Sequence, residues 1–209
     1  YTRDIAYATM ECCSYRYNPY DKAKFEVNAH NWIDMSDEDY GVSLLNDCKY
    51  GHEVNEHKMI LTLLKAPIKP DPKSDRGDHY FTYSLYPHAE TWKKAKTLER
   101  GLEINHPLVP VDIKSEGELG ADKSFITLAS DSMTLEAVKK CEEEDAYIIR
   151  MVEKKGKSVD ASVKFFAPLT YAAECDLIER NDVPVEFDGD TISFHATPFE
   201  IKNYKVKIK

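Results

Sequence analysis

Apolar and polar residues alternate with a period of two along much of the chain. In "SVDASVKFF", Val159, Ala161, Val163 and Phe165 fall on one side and Asp160, Ser162 and Lys164 on the other, until Phe166 breaks the alternation. Successive side chains of a strand point to opposite faces, so this pattern predicts a half-buried strand. The closing "KNYKVKIK" repeats it, with Tyr204, Val206 and Ile208 alternating with Lys205, Lys207 and Lys209. A strand with one solvated face is expected there, its charges discouraging edge-to-edge pairing. Further strands are expected over 6–15, 24–27, 42–46, 59–64, 80–86, 125–129, 146–153, 171–179 and 191–195. Turn residues separate these runs: Gly156 and Gly189 suit tight hairpins because glycine accepts positive φ. Pro67, Pro70 and Pro72 cannot donate to a ladder and mark a long loop. One helix is expected, over 91–100, with Thr91 as N-cap and Gly101 just past its end. The pattern predicts an all-β, antiparallel chain. Between 107 and 120 the composition turns to proline, glycine and acidic residues, which sets a boundary between two β units, 1–120 and 121–209.

Composition narrows the classes. At 209 residues, 42% hydrophobic and 31% charged, the chain can bury one sizeable core or two small ones. A net charge of −9 argues against nucleic acid as a partner, because affinity for phosphate backbones comes from neutralising them. No apolar run approaches the roughly 20 residues that span a bilayer, and the opening residues lack the pattern of a signal peptide. Neither membrane insertion nor export is expected. Cys12, Cys13, Cys48, Cys141 and Cys175 are an odd count without a CxxC pair, and five reduced thiols of a cytoplasmic protein are expected.

Three polar clusters stand out. The first follows the buried run "YGVSLL", where Asn46, Asp47, Lys49 and Tyr50 crowd together, with His30 and Trp32 upstream. A tryptophan beside His, Asp and Lys is a composition suited to a sugar-facing wall. The alternative is a turn satisfied by its own side chains, with Trp32 in the core. The second is "DRGDHYFTYSLYPH", an aromatic strand preceded by Asp75, Asp78 and His79, which either hold a metal or cap turns. The third, His52 to His57, lacks a zinc-ligand spacing and reads as solvated loop. No GxSxG elbow, P-loop, GxGxxG or HExxH is present, and no catalytic residue is assigned.

Longer blocks carry more information. "DKAKFEVNAHNWIDMSDEDYGVSLLNDCKYGHEV", "ILTLLKAPIKPDPKSDRGDHYFTYSLYPH", "CDLIER" and "ISFHATPFEIKNYKVKI" resemble, in the same order, the C-terminal β region of glycoside hydrolase family 38 α-mannosidases of the cytosolic type. The resemblance covers the chain from about Asp21 to the end. It implies a β supersandwich with a galactose-mutarotase-like part, followed by a smaller C-terminal β-sandwich. It also implies a much longer parent enzyme, whose N-terminal catalytic domain carries the zinc, the nucleophilic aspartate and the acid. The family's zinc site uses a His-x-Asp pair. None of the seven histidines here is followed two residues later by aspartate, so zinc is expected outside this chain and the chain alone is expected to be inactive. In Golgi and lysosomal relatives the block matching "LLNDCKYG" is of the type TDR-x-QGG, near the mouth of the catalytic pocket. By that match Asp47 takes the aspartate position, and Cys48 stands where those relatives have arginine. The implied partners are the catalytic domain of the same enzyme and mannose-containing oligosaccharides. The rivals are a stand-alone carbohydrate-binding module and a structural β scaffold. A homo-oligomer is a further expectation if a sheet face is left bare.

Overall fold

The computed structural model describes residues 1–113, 117, 119, 120 and 122–209. Two compact units form, Tyr1–Pro110 and Val111–Lys209. The division falls inside the stretch 107–120, ahead of the boundary expected after residue 120. Residue 121, where the second unit was expected to begin, lies outside the described residues.

The first unit contains β1 (Thr2–Ile5), β2 (Ala8–Glu11), α1 (Pro19–Ala23), β3 (Val27–Asn28), β4 (Trp32–Ser36), β5 (Tyr40–Asn46), β6 (Gly51–Asn55), β7 (Lys58–Leu61), β8 (Tyr83–Ala89) and α2 (Thr97–Asn105). All pairings are antiparallel, in a five-stranded sheet β2-β1-β4-β5-β8 and a three-stranded sheet β3-β6-β7. Alternation along β4 and β5 sends Ile33, Met35 and Leu44 to one face. There they meet Ala29, Val54, Met59 and Leu61 of the smaller sheet and its flanks. The other face carries Trp32 and Leu45, which pack with Trp92, Tyr86 and Ile104. The larger sheet is thus covered on both sides, by the smaller sheet and by α2 with the turn before it.

The second unit contains β9 (Ile126–Leu128), β10 (Met133–Lys140), β11 (Tyr147–Glu153), β12 (Val159–Phe165), β13 (Leu169–Glu174), β14 (Val183–Pro184), β15 (Thr191–Ala196) and β16 (Ile201–Ile208). Sheets β10-β11-β16-β13-β14 and β15-β12-β9 enclose a core of Met133, Ile149, Met151, Val163, Phe165, Ile192, Tyr204 and Val206. The alternation in "SVDASVKF" is this core's signature. Gly156 and Gly189 have φ of +71° and +60°, as their turns require. Buried Glu153 fixes the first of these turns: Oε2 accepts from the amides of Gly156 and Phe199 at 2.8 and 3.0 Å, and Oε1 from that of Lys155 at 2.9 Å.

Several expectations need correction. The run 6–15 holds only the turn, at Tyr7 with φ +58°, and the second strand of a hairpin whose first strand, β1, precedes it, and residues 12–15 lie outside β2. Strands β4 and β6 were not expected, because polar residues at covered positions mask the alternation, and β10 was not, because a register shift between Leu135 and Ala137 breaks it. The helix starts six residues later than Thr91. Residues 92–96 form a turn whose backbone passes through a left-handed Lys96, and Gly101 lies inside the helix. A Cβ there would stand 2.8 Å from Trp32 Cδ1, so glycine serves close approach to the indole rather than helix ending. The end of the chain is the central strand β16, not a solvated one. Lys205 is only 3% exposed, with Nζ 3.0 Å from Glu144 Oε1 and 2.9 Å from Asp182 Oδ2. Burial opposes its charge, but the two carboxylates outweigh burial and hold the ammonium well above its usual range.

Candidate functional site

The site is built where β5 ends. Register pairs Asn46 with Tyr83 of β8, and beyond Asn46 the chain turns through Asp47–Tyr50 into β6. Asn46 is fully buried and acts as the anchor of that turn. Its Nδ2 donates to the His30 carbonyl at 3.0 Å, its Oδ1 accepts from the Lys49 amide at 2.6 Å, and its own carbonyl accepts from Asn105 Nδ2 of α2 at 3.0 Å. A polar residue at the end of a buried strand thereby satisfies an adjacent loop, the turn and a helix together.

Asp47 is fastened to the strand beside it. Its amide donates to the Thr82 carbonyl at 3.1 Å, and its Oδ2 accepts from the Thr82 amide at 2.9 Å. The Cys48 thiol and that amide hold the Asp47 carboxyl below the usual range, while Oδ1 is left without an ordinary N–H or O–H donor. Lys49 Nζ lies 5.0 Å from the centroid of the Phe81 ring. The exposed Tyr50 ring meets the His30 ring edge-on at 5.6 Å, and its carbonyl accepts from the Ala29 amide at 3.0 Å. Asp47, Lys49, Tyr50 and His30 therefore surround one satisfied turn, with Phe81 and Tyr83 next to it.

Trp32 does not belong with them, and the expected sugar-facing wall is corrected here. It has no exposed surface and packs on Trp92 with ring centroids 4.9 Å apart. His30 precedes β4 and shares no strand face with it. Asn46, equally buried, offers nothing to a ligand directly. His52 is likewise not in a solvated loop: it is fully buried in β6, and burial pushes its pKa down although its contact with the Tyr50 carbonyl opposes this. Asp75 caps the Ala66 amide, and His79 Nε2 donates to the Asp75 carbonyl at 2.8 Å, so these residues serve a turn. Among the described residues no group of three or more His, Cys, Asp or Glu side chains is disposed to hold a metal ion.

A second polar cluster was missed from sequence. On the α2-covered face of the larger sheet, Ser43 Oγ lies 2.7 Å from Asp34 Oδ2 and 2.7 Å from Thr97 Oγ1, and Ser36 donates to Asp34 Oδ1. His88 Nε2 lies 2.8 Å from Asp34 Oδ2 and 3.2 Å from Ser43 Oγ. The composition is that of a Ser-His-Asp triad, but the geometry is not. In a triad the carboxylate holds the imidazole from the nitrogen opposite the serine. Here both groups crowd Nε2, and Nδ1 donates to the carbonyls of Ala89 and Glu90. Ser43 has no exposed surface, so the cluster ties α2 to the sheet and has no access to substrate. The available signal was register: Asp34 pairs with Ser43, one residue along from the apolar Ile33–Leu44 pair.

The sequence blocks and this architecture both have counterparts. The profile described as "Glycosyl hydrolases family 38 C-terminal domain" matches residues 1–73, and that described as "Glycosyl hydrolases family 38 C-terminal beta sandwich domain" matches residues 132–204. Alpha-mannosidase 2C1 of Homo sapiens is 34% identical over 184 residues, covering 87% of this chain and 18% of that protein. Its Mus musculus counterpart is 30% identical over 207 residues, covering 97% of this chain and 20% of that protein. A solved family 38 protein from Enterococcus faecalis superposes with a TM-score of 0.75 at 17% identity, over 99% of this chain and 24% of that one. The chain thus spans about a fifth of the length of the curated relatives it matches. Among the described residues no helix is long and apolar enough to cross a membrane. With two profiles of one family matching in order, one in each compact unit, the chain belongs to glycosyl hydrolase family 38 and corresponds to its C-terminal β region.

Proposed function

We propose that this chain is the non-catalytic C-terminal part of a cytoplasmic α-mannosidase that hydrolyses terminal α-mannosyl residues of oligosaccharides. In this reading it packs on the catalytic domain and presents Asp47, Lys49, Tyr50 and His30 at the edge of the substrate pocket. The observation that carries the reading is the buried Asn46 anchor. It holds the turn in one conformation, so the neighbouring polar side chains stand where they do without further ordering. Asp47 Oδ1 is buried, so Asp47 acts on the pocket edge by tying the turn to Thr82 rather than by meeting a sugar hydroxyl through that oxygen.

The parent is expected to be a zinc-dependent, retaining enzyme. A retaining glycosidase needs a nucleophile and an acid about 5 Å apart on either side of the scissile bond. The described residues do not offer a ligand set for zinc, so no step is assigned to the metal through this chain. The parts of the site in hand would bind and orient sugar rather than break the bond.

The test is Asp47→Ala in the full-length parent. A fall in kcat/KM of about tenfold, with the fold intact, is expected when the turn loses its tie to Thr82 and the pocket edge shifts. Unchanged kinetics would remove Asp47 from the pocket. The exposed Tyr50 and Tyr83 favour one rival, a stand-alone sugar-binding module. Saturable NMR shifts at these residues on adding mannose to the 209-residue chain would support it.

A further inference from the structure

Strand β8 is an edge strand of the five-stranded sheet. Its alternation sends Ser84, Tyr86 and His88 toward α2 and Tyr83, Leu85 and Pro87 to the opposite face, in register with Asn46, Leu44 and Val42. Under β4 and β5 that opposite face is covered by the three-stranded sheet, and Leu44 is 5% exposed. Under β8 it is not. Leu85 is 65% exposed, Tyr83 54%, and Tyr40 at the start of β5 58%. Phe81 extends the row, its ring 6.5 Å from that of Tyr83.

Edge strands with bare apolar faces invite association, and proteins usually blunt them. Here only the edge is blunted. Pro87 lacks the N–H that an added strand would need, whereas the face keeps its apolar side chains. That combination fits contact across the face rather than strand addition. Aromatic and large aliphatic side chains of this kind form the desolvated centre of protein interfaces.

We propose that the row Phe81, Tyr83, Leu85 and Pro87, with Tyr40, is the face through which this β region docks on the catalytic part of its parent. The inference rests on the proposed function, under which some four-fifths of the parent lies outside this chain. Position supports that occupant. Lys49 lies over Phe81, and Asp47 is bonded to Thr82, so the row is continuous with the turn placed at the pocket edge. Docking here would set that turn against the catalytic domain.

Hydroxyl-radical footprinting tests this directly, because tyrosine and leucine side chains oxidise at rates set by their exposure. In the 209-residue chain Tyr83 and Leu85 are expected to oxidise readily. In the full-length parent the rate at both should fall at least fivefold. Leu85→Lys should restore oxidation of Tyr83 in the parent, and in the short chain should leave the unfolding midpoint unchanged. Equal oxidation in chain and parent would overturn the proposal. So would slow oxidation already present in the short chain, or protection that follows protein concentration and is lost in Leu85→Lys, which would assign the face to a second copy. The two readings separate cleanly. Protection with unaltered Asp47→Ala kinetics keeps the docking face and removes the pocket edge, and the converse result does the reverse.

Discussion

His88 shows how much one residue can hold in this fold. Its side chain is almost fully buried against Asp34, and the pair joins Ser43 and Thr97 between the sheet and α2. Removing the imidazole takes one buried hydrogen-bond partner from Asp34 and Ser43, at a cost of about 1–3 kcal/mol. His88→Ala should therefore lower the stability of the first unit by about that amount. Both tryptophans, Trp32 and Trp92, pack in that unit, so their fluorescence during urea unfolding reads it alone. A midpoint unmoved by the substitution would show that the cluster is not a tie. At this scale the sequence was only half legible. Asn46 and Asp47 could be placed at a strand end from their neighbours, but whether a tryptophan two residues from a histidine faces solvent depends on what covers the sheet. That cover is α2 and Trp92, some sixty residues further along.

Helix α2 carries a conflict between local propensity and packing. Gly101→Ala would improve helix propensity by about 1 kcal/mol. It would also drive a methyl group to 2.8 Å from Trp32 Cδ1, in a core where overpacking costs about 1–3 kcal/mol. Because Trp32 is fully buried against Trp92, a net loss of stability is expected, measurable as a lower Tm by tryptophan fluorescence. A rise in Tm would mean the indole can retreat. The same conflict explains why Gly101 misled the sequence reading, since glycine beyond a helix and glycine against a ring look alike in one dimension.

In the second unit Glu179 joins two loops, with Oε1 2.6 Å from Lys139 Nζ and Oε2 accepting the Glu142 amide at 2.9 Å. These bonds to Lys139 and Glu142 hold its carboxyl down at about 2, against an ordinary 4.5. A carboxyl with a depressed folded pKa stabilises the fold while it is ionised. Its contribution is complete above about pH 4.5 and is lost as pH falls toward 2. Glu179→Gln should therefore be less stable than the parent sequence at neutral pH, with the gap closing across that acid window. A gap independent of pH would contradict the ion pair. Of the elements, strands such as β12 were legible because one face meets the core and the other meets water. Strands β4 and β6 were not, since Asp34, Ser36 and His52 put polar side chains at covered positions. Lys205 and β16 failed for the same reason, the lysine arm being buried and its charge met by Glu144 and Asp182.

For the whole molecule, the all-β, antiparallel class was legible from alternation and turn chemistry. The family was legible from long blocks rather than from any motif, which is consistent with a region whose residues shape and support rather than react. The chain's polar clusters are spent on structure: Asn46 on a turn, Asp34 and His88 on a helix tie, Glu153 on a hairpin. Exposed side chains such as Tyr83 and Leu85 are suited to meeting another surface. The central proposal is that these β units contribute to mannoside hydrolysis only in company with a catalytic domain they do not contain. The most direct measurement is turnover of an aryl α-mannoside by the purified 209-residue chain beside the full-length parent. The account predicts release of the aryl group by the parent and none above background by the chain. Sustained release by the chain at an enzymatic rate, with no contaminating hydrolase, would contradict it.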